Sequence, residues 1–218
     1  MVRTITVGPF RAARHHGSLR RQREQGEDDY SYCDALSIAD TNQKHSWVRY
    51  IGGDSGQDLA VLASCQKFLE FGYLRTPEKA VEAGESVYAF GYPMGGGSRP
   101  KITDGIVSSL LGFGDNATFL QHTAAVQRGN SGGPLLDKAG LIVGVNTRAA
   151  THVGSGSNEG VVLQNVGFAV KSNIVQSFLL AHDIAFQTKN SSIEIGAVEI
   201  VNRSKEYTVE VTCWMTPE

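Results

Sequence analysis

Long apolar runs are missing from these 218 residues. None approaches the roughly 18 residues that a helix needs to cross a bilayer, so no membrane span is expected. Residues 1–10 also lack the apolar stretch of roughly 7–15 residues that marks an export signal. Cysteine is scarce, with Cys33, Cys65 and Cys213 as its three copies. That is too few for a disulfide scaffold, and one thiol must stay unpaired. No Cys/His spacing suits zinc, and no metal or cofactor is expected. Charge of either sign is sparse as well, at 19 % of residues with a net of −2. So few charges argue against extensive disorder. The near-neutral balance argues against a general nucleic-acid binder, and no nucleic-acid partner is expected.

What is present suits a core built from strands. Apolar residues make up 41 % and glycine contributes 25 residues. Short alternating or apolar segments recur at 47–51, 58–63, 86–90, 101–109, 118–123, 141–145 and 167–170. Glycine clusters punctuate them, including a turn expected at 52–56. Many short strands between glycine turns indicate a sandwich or barrel. One helix is expected after Ser172, which can cap it. Ile174, Val175, Phe178, Leu179 and Ala181 form its apolar face. His182 falls near its end, where a cation meets the negative helix terminus favourably. Segments 193–200 and 207–214 alternate around Asn202-Arg203-Ser204-Lys205 and read as a terminal β-hairpin.

The start of the chain is unlike the rest. Residues 11–30 carry Arg11, Arg14, Arg20, Arg21 and Arg23, then Glu24, Glu27, Asp28 and Asp29. Little there can enter a core, and only 4–7 reads as a strand. The division expected is an atypical N-terminal segment at 1–33, a main domain at 34–182 and a hairpin extension at 183–218. The loop at 149–160, polar and rich in glycine, is expected to be exposed and mobile.

The sharpest feature is Gly129-Asn130-Ser131-Gly132-Gly133-Pro134. A serine hydroxyl attacks a carbonyl only when a base takes its proton. It also needs donors aimed at the oxygen that becomes negative. Glycine before the serine permits a turn that points two N–H groups into one small volume, and glycines after it allow close approach of substrate.

With this hexapeptide the chain resembles the chymotrypsin-like (trypsin-fold) serine proteases, in particular the bacterial high-temperature-requirement group. Further motifs carry the resemblance between about residues 34 and 182. They are Gly91-Tyr92-Pro93-Met94-Gly95, Ile102-Thr103-Asp104-Gly105-Ile106-Val107-Ser108 and Leu120-Gln121-His122-Thr123-Ala124-Ala125-Val126-Gln127-Arg128. Leu141-Ile142-Val143-Gly144-Val145-Asn146-Thr147 and Val166-Gly167-Phe168-Ala169-Val170 complete them. The resemblance implies an all-β fold of two barrels, the first incomplete, with a C-terminal helix and the added hairpin. It implies a serine endopeptidase working on polypeptides through an acyl-enzyme. Ser131 becomes the nucleophile, and the N–H groups of Gly129 and Ser131 the oxyanion hole, with Asn130 shaping the loop. An amide at 130 cannot form the ion pair with a new N-terminal amine that activates digestive relatives, so activation by clipping is not expected. Ala125, Val126 and Gln127 would line the primary specificity pocket, with Val145, Asn146 and Thr147 on its far wall. No charged side chain is visible at its base, and a small or medium apolar residue is expected before the cleaved bond. Asp58, in Asp-Leu-Ala-Val-Leu, resembles the triad acid that orients a histidine. The tail after His182 is short, so the PDZ domain of many relatives is not expected. Relatives often work in the periplasm or outside the cell.

The general base is where the pattern breaks. The family's histidine should precede Asp58, after a strand, in Thr-Ala-x-His or similar, and residues 19–37 hold no histidine. His45 stands too close to Asp58 in the chain, on the same hairpin. His122 belongs to the strand entering the nucleophile loop, and His152 to the polar loop. That leaves His15 or His16, in Ala12-Ala13-Arg14-His15-His16-Gly17. Without a base the chain becomes the alternative: a protease-like module that binds extended peptides as an added strand and does not cut them.

Overall fold

Strands with β-branched and aromatic residues at alternate positions build two sheets, and these form two lobes. A computed structural model describes residues 2–5, 11–13, 33–93, 99–149 and 165–215. The first lobe takes its early strands from β1 (Val2–Ile5), β2 (Arg11–Ala13), β3 (Ala35–Ala39), β4 (His45–Asp54) and β5 (Leu59–Ser64). The second uses β6 (Leu74–Arg75), β7 (Ser86–Gly91), β8 (Lys101–Ser109), β9 (Phe119–His122) and β10 (Pro134–Leu136). To these it adds β11 (Ile142–Ala149), β12 (Gly167–Lys171) and β13 (Thr188–Lys189). Helix α1 (Ser172–Ala181) follows β12. Helix α2 (Ala197–Ser204) then leads to β14 (Glu210–Trp214), which returns to the first lobe. The sheet orders are β1-β5-β4-β3-β14-β2 and β10-β7-β8-β9-β12-β11-β6-β13, with β10 also paired to β11. This is the all-β, two-lobed architecture expected.

Several local expectations are corrected. The terminal hairpin is absent, because α2 and β14 occupy that stretch. Its Ile and Val residues favour strands, yet Ile200 and Ser204, four apart, are buried. On the outside, Glu199 and Arg203 form an i,i+4 ion pair at 2.8 Å. Helical spacing and packing of Ile200 with Phe90 and Leu136 win over strand propensity. The first lobe is not short of strands. Among the described residues it has six, because β14 inserts between β3 and β2. Residues 2–5 and 11–13 contribute β1 and β2 to that sheet. Glycines 52 and 53 continue β4, and the turn comes after Asp54. Lys171, with Ser172 as the first helical residue, is the N-cap of α1. The polar loop at 150–164 lies outside the described residues, as do His15, His16 and His152.

Cysteine keeps the one unpaired thiol that its odd count requires. Cys33 and Cys213 form a disulfide, with Cα atoms 5.4 Å apart, and Cys65 is the free, exposed thiol. The bond joins the approach to β3 to the last strand.

One apolar cluster couples the lobes. Leu59 and Val61 from β5 share it with Val145, Val170, Val175, Phe178 and Leu179. Gln176 on α1 adds a hydrogen bond from Nε2 to the Arg75 carbonyl at 2.9 Å. The second lobe has its own core of Val87, Ala89, Val107, Leu120, Ala124, Leu135, Val143 and Ala169.

Candidate active site

The nucleophile loop joins β9 to β10. The Asn130 N–H donates to the Gln127 carbonyl at 3.0 Å, which closes a turn whose third residue, Gly129, has φ 98°. A side chain would be strained there, so glycine sets this turn. Neither the Gly129 nor the Ser131 N–H meets an acceptor among the described residues.

Strand β11 clamps the loop from behind. The Gly132 N–H donates to the Asn146 carbonyl at 2.8 Å, and the Asn146 N–H to the Gly133 carbonyl at 2.9 Å. Asn146 Nδ2 donates to the carbonyls of Gly133 and Pro134 at 3.0 and 3.2 Å. Asn130 is buried as well, and its Oδ1 finds no hydrogen-bond donor among the described residues. Ser131 Oγ, half-buried, donates to the Thr147 carbonyl at 2.9 Å. A carbonyl orients the hydroxyl but cannot take its proton.

The strand that leads to the expected near wall and the residues of the expected far wall flank β12. Residues Phe119–His122 pair with β12 on one side and Val145 and Asn146 pair with it on the other. Ala125 and Gln127 are exposed, Val126 packs against the second core, and Val145, Asn146 and Thr147 are buried. Thr103 Oγ1 holds the Ala125 carbonyl at 2.7 Å.

Asp58 stands in the first lobe at the end of the turn before β5, half-buried, with φ 57°. A non-glycine residue in this left-handed region carries strain on the order of 1 kcal/mol or more, and such residues concentrate at functional sites. Its neighbour Leu59 packs in the cluster that holds Val145, two residues before the carbonyl that binds Ser131. The interlobe core therefore fixes the Asp58 turn relative to the nucleophile loop.

No histidine among the described residues hydrogen-bonds to Ser131. His45 begins β4, whose far end, Asp54, pairs with Leu59. Nine steps of about 3.3 Å put it roughly 30 Å along the strand from that turn. His182 caps α1, with Nδ1 at 2.9 Å from the Phe178 carbonyl and its ring against Gly52. Its expected place at the helix end is therefore found. His122 is fully buried, and burial pushes its pKa down to about 4 against the nearby Asn146 side chain and Ala124 backbone, which favour the protonated ring. Those neighbours do not reach hydrogen-bonding geometry with either ring nitrogen. Sequence reasoning placed His122 on its strand but missed its polar cluster with Asn146. The signal was available: His122 shares a strand face with Leu120, so the alternation aims an imidazole into the core.

The family model of the trypsin-like peptidase domain matches residues 17–145. The chain belongs to the trypsin-like peptidase family. It is 33 % identical to the serine protease Do-like HtrA of Lactobacillus helveticus over 66 % of this chain and 35 % of that protein. An uncharacterized protein, y4bJ, of Sinorhizobium fredii is 32 % identical over 83 % of this chain and 29 % of that one. Among solved structures, the HtrA-type protease AlgW with decapeptide superimposes with a TM-score of 0.57 at 29 % identity, over 71 % of this chain and 46 % of that one. This peptidase domain thus spans about a third of the length of those two curated relatives. Its two-lobed sheet pattern and its likeness to HtrA-type structures agree, and it is a trypsin-fold, HtrA-like member of the family.

Proposed function

We propose that the chain is a serine endopeptidase that cleaves polypeptides through an acyl-enzyme intermediate. The observation that carries this reading is the pair of N–H groups, Gly129 and Ser131, that meet no acceptor among the described residues, beside the Ser131 hydroxyl on a turn that only glycine relaxes. Ser131 Oγ attacks the substrate carbonyl, and the two N–H groups stabilise the oxygen that becomes negative. Asp58 orients the imidazolium formed when the base takes the serine proton; that proton passes to the leaving amine as the peptide C–N bond breaks, and water then hydrolyses the ester to release the acid and restore the hydroxyl. The base in this reading is His15. Strand β2 ends at Ala13, and Ala12-Ala13-Arg14-His15 matches the strand-then-histidine order of the family motif. Ala125, Val126, Gln127, Val145, Asn146 and Thr147 surround the substrate side chain that precedes the cleaved bond.

A second reading has an observation of its own. The Ser131 hydroxyl is given to the Thr147 carbonyl, and no described imidazole competes for it. A chain in which that bond persists is a peptide-binding module with an idle serine. A peptidyl phosphonate, which labels only activated serines, separates the two readings. Labelling of the parent chain that vanishes in Ser131→Ala and in His15→Ala establishes the endopeptidase. Absence of labelling together with retained peptide binding establishes the module.

A further inference from the structure

The charge pattern of the sequence left the specificity pocket apolar, but two buried polar side chains lie on the strands that lead to its expected walls. His122 and Asn146 meet, both with no exposed surface. Asn146 cannot turn its amide to suit the ring, because Nδ2 is committed to the Gly133 and Pro134 carbonyls. This fixes Oδ1 on the opposite side, where it accepts nothing from the described residues. Among the described residues both His122 ring nitrogens also lack a partner in hydrogen-bonding geometry. The ring lies against Gly167 of β12, where an added Cβ would come to 2.7 Å from Nε2. Glycine at 167 therefore makes room for the imidazole. A core with only a structural purpose would fill this place with leucine, as it does at Leu120 one turn of the pleat earlier. Unpaired buried polar atoms are costly unless a ligand completes them.

The cluster is tied to the reacting group through one strand. Asn146 precedes Thr147, whose carbonyl holds Ser131 Oγ. His122 leads into Thr123-Ala124-Ala125-Val126-Gln127, the near wall of the pocket. Resting on the reading of Ser131 as the nucleophile, we infer that His122 and Asn146 form the polar inner wall of that pocket. The side chain they select before the cleaved bond ends in a carboxamide, as in glutamine or asparagine.

The chemistry separates a carboxamide from its rivals. The neutral imidazole presents one N–H and one bare nitrogen. Asn146 Oδ1 presents an acceptor that needs a donor. A carboxamide oxygen accepts from the imidazole while its NH₂ group donates to Oδ1. A carboxylate lacks the donor and faces Oδ1 with like polarity. A valine side chain leaves every atom unpaired, and sites built for hydrogen bonds reject such analogues strongly.

The test uses the full chain carrying Ser131→Ala, so no chemistry is needed. Fluorescence anisotropy reads the affinity of labelled peptides that end in glutamine, asparagine, glutamate or valine with a free carboxylate. Glutamine or asparagine should bind at least about 10-fold more tightly than valine and glutamate. His122→Leu in the same background should abolish that preference, and His122→Gln, which keeps a donor and an acceptor, should retain much of it. Tightest binding of valine overturns the inference, as does a preference that survives in folded His122→Leu. If His122→Leu does not fold, the parent ranking and the His122→Gln ranking decide. No binding by any peptide also overturns it, while phosphonate labelling of the parent chain still judges the peptidase reading separately.

Discussion

The two lobes are built from similar, mainly antiparallel sheets but are held together by different means. The second takes its eight strands from one continuous stretch of chain, from Leu74 to Lys189. Its motif-bearing strands include local pairs, β7 with β8, β8 with β9 and β10 with β11, although β6 meets the distant β11 and β13, and it carries the nucleophile loop. The first takes strands from the start of the chain and closes its order with β14 from the end. A disulfide spanning 180 residues fixes that return. Local pairing makes a lobe whose motifs are readable. Pairing between chain ends makes a lobe whose completeness depends on a covalent tie.

The largest test asks whether the first lobe contributes chemistry at all. Ser131→Ala should reduce peptide cleavage about a millionfold, as loss of a nucleophile does when a triad acts as a unit. His15→Ala should reduce it by a similar factor if the first lobe supplies the base. Asp58→Asn should cost roughly ten-thousandfold, because the wrong tautomer is then favoured. Kinetics on an internally quenched peptide reads all three. Full activity in His15→Ala would confine the chemistry to the second lobe and remove the need for cooperation between them.

The next test breaks the tie. Cys213→Ser should cost about 2–5 kcal/mol, because the bond restricts a very long loop in the unfolded chain. The loss should fall on the first lobe. Both tryptophans belong to it: Trp47 on β4 and Trp214 on β14, ring centroids 6.2 Å apart. Trp214 Nε1 also donates to Ser37 Oγ on β3 at 2.8 Å. Urea unfolding followed by tryptophan fluorescence should shift to lower urea in the variant. Hydrogen exchange should accelerate in β3 and β14 before β7 or β12. Equal acceleration in both lobes would mean that the interlobe cluster makes them one unit.

The same contrast explains what could be read from the sequence. In the second lobe, strands at Ser86–Gly91, Lys101–Ser109 and Gly167–Lys171 were legible because alternation, glycine turns and local pairing agree. The Ser131 loop was legible because its chemistry needs particular residues in a row. The first lobe was poorly legible. Arg11–Ala13 looks like a solvated basic stretch, and its strand forms only because β14 offers an edge. Nothing local marks Cys33 and Cys213 as partners, since their meeting follows from β3 pairing with β14. Helix α2 was misread because Val198, Ile200 and Val201 favour strands, while the contact that decides, Ile200 with Phe90 and Leu136, is distant in sequence.

A third test perturbs the second lobe where two backbones touch. A Cβ added to Gly133 would overlap the Phe90 carbonyl oxygen and lie 3.0 Å from that of Asn130. Both are main-chain atoms, so neither can swing aside. Gly133→Ala should cost roughly 1–3 kcal/mol. It should also displace the loop that holds Ser131, so phosphonate labelling falls more than stability does. Labelling that stays intact would show that the loop tolerates movement and that its clamp by β11 is not needed for the chemistry.

The smallest expected effect contrasts the ties themselves, covalent in one lobe and ionic in the other. Arg75 is buried and contacts both Glu85 and Asp137, linking β6 to the chain just before β7 and just after β10. Burial alone would raise the Glu85 pKa, but the Arg75 hydrogen bond, the Glu82 N–H and the charges of Arg75 and Lys79 outweigh it and hold it low. Its stabilisation is therefore full above the ordinary carboxylate range and is lost as pH falls through the depressed value. Asp137 behaves oppositely. Burial raises its pKa despite the Leu141 and Ala139 N–H bonds and Arg75. Its protonation favours the fold, so its contribution is present in acid and lost as pH rises through the elevated value. The two titrations partly cancel in the parent chain, and because the Glu85 charge also raises the Asp137 pKa, the difference between parent and Glu85→Gln reads the Glu85 titration together with its effect on Asp137. That difference should be about 1 kcal/mol at pH 7 and vanish in acid, with reductant leaving it unchanged. A gap that persists at low pH would assign the role of Glu85 to hydrogen-bond geometry and leave acid without a special hold on the second lobe.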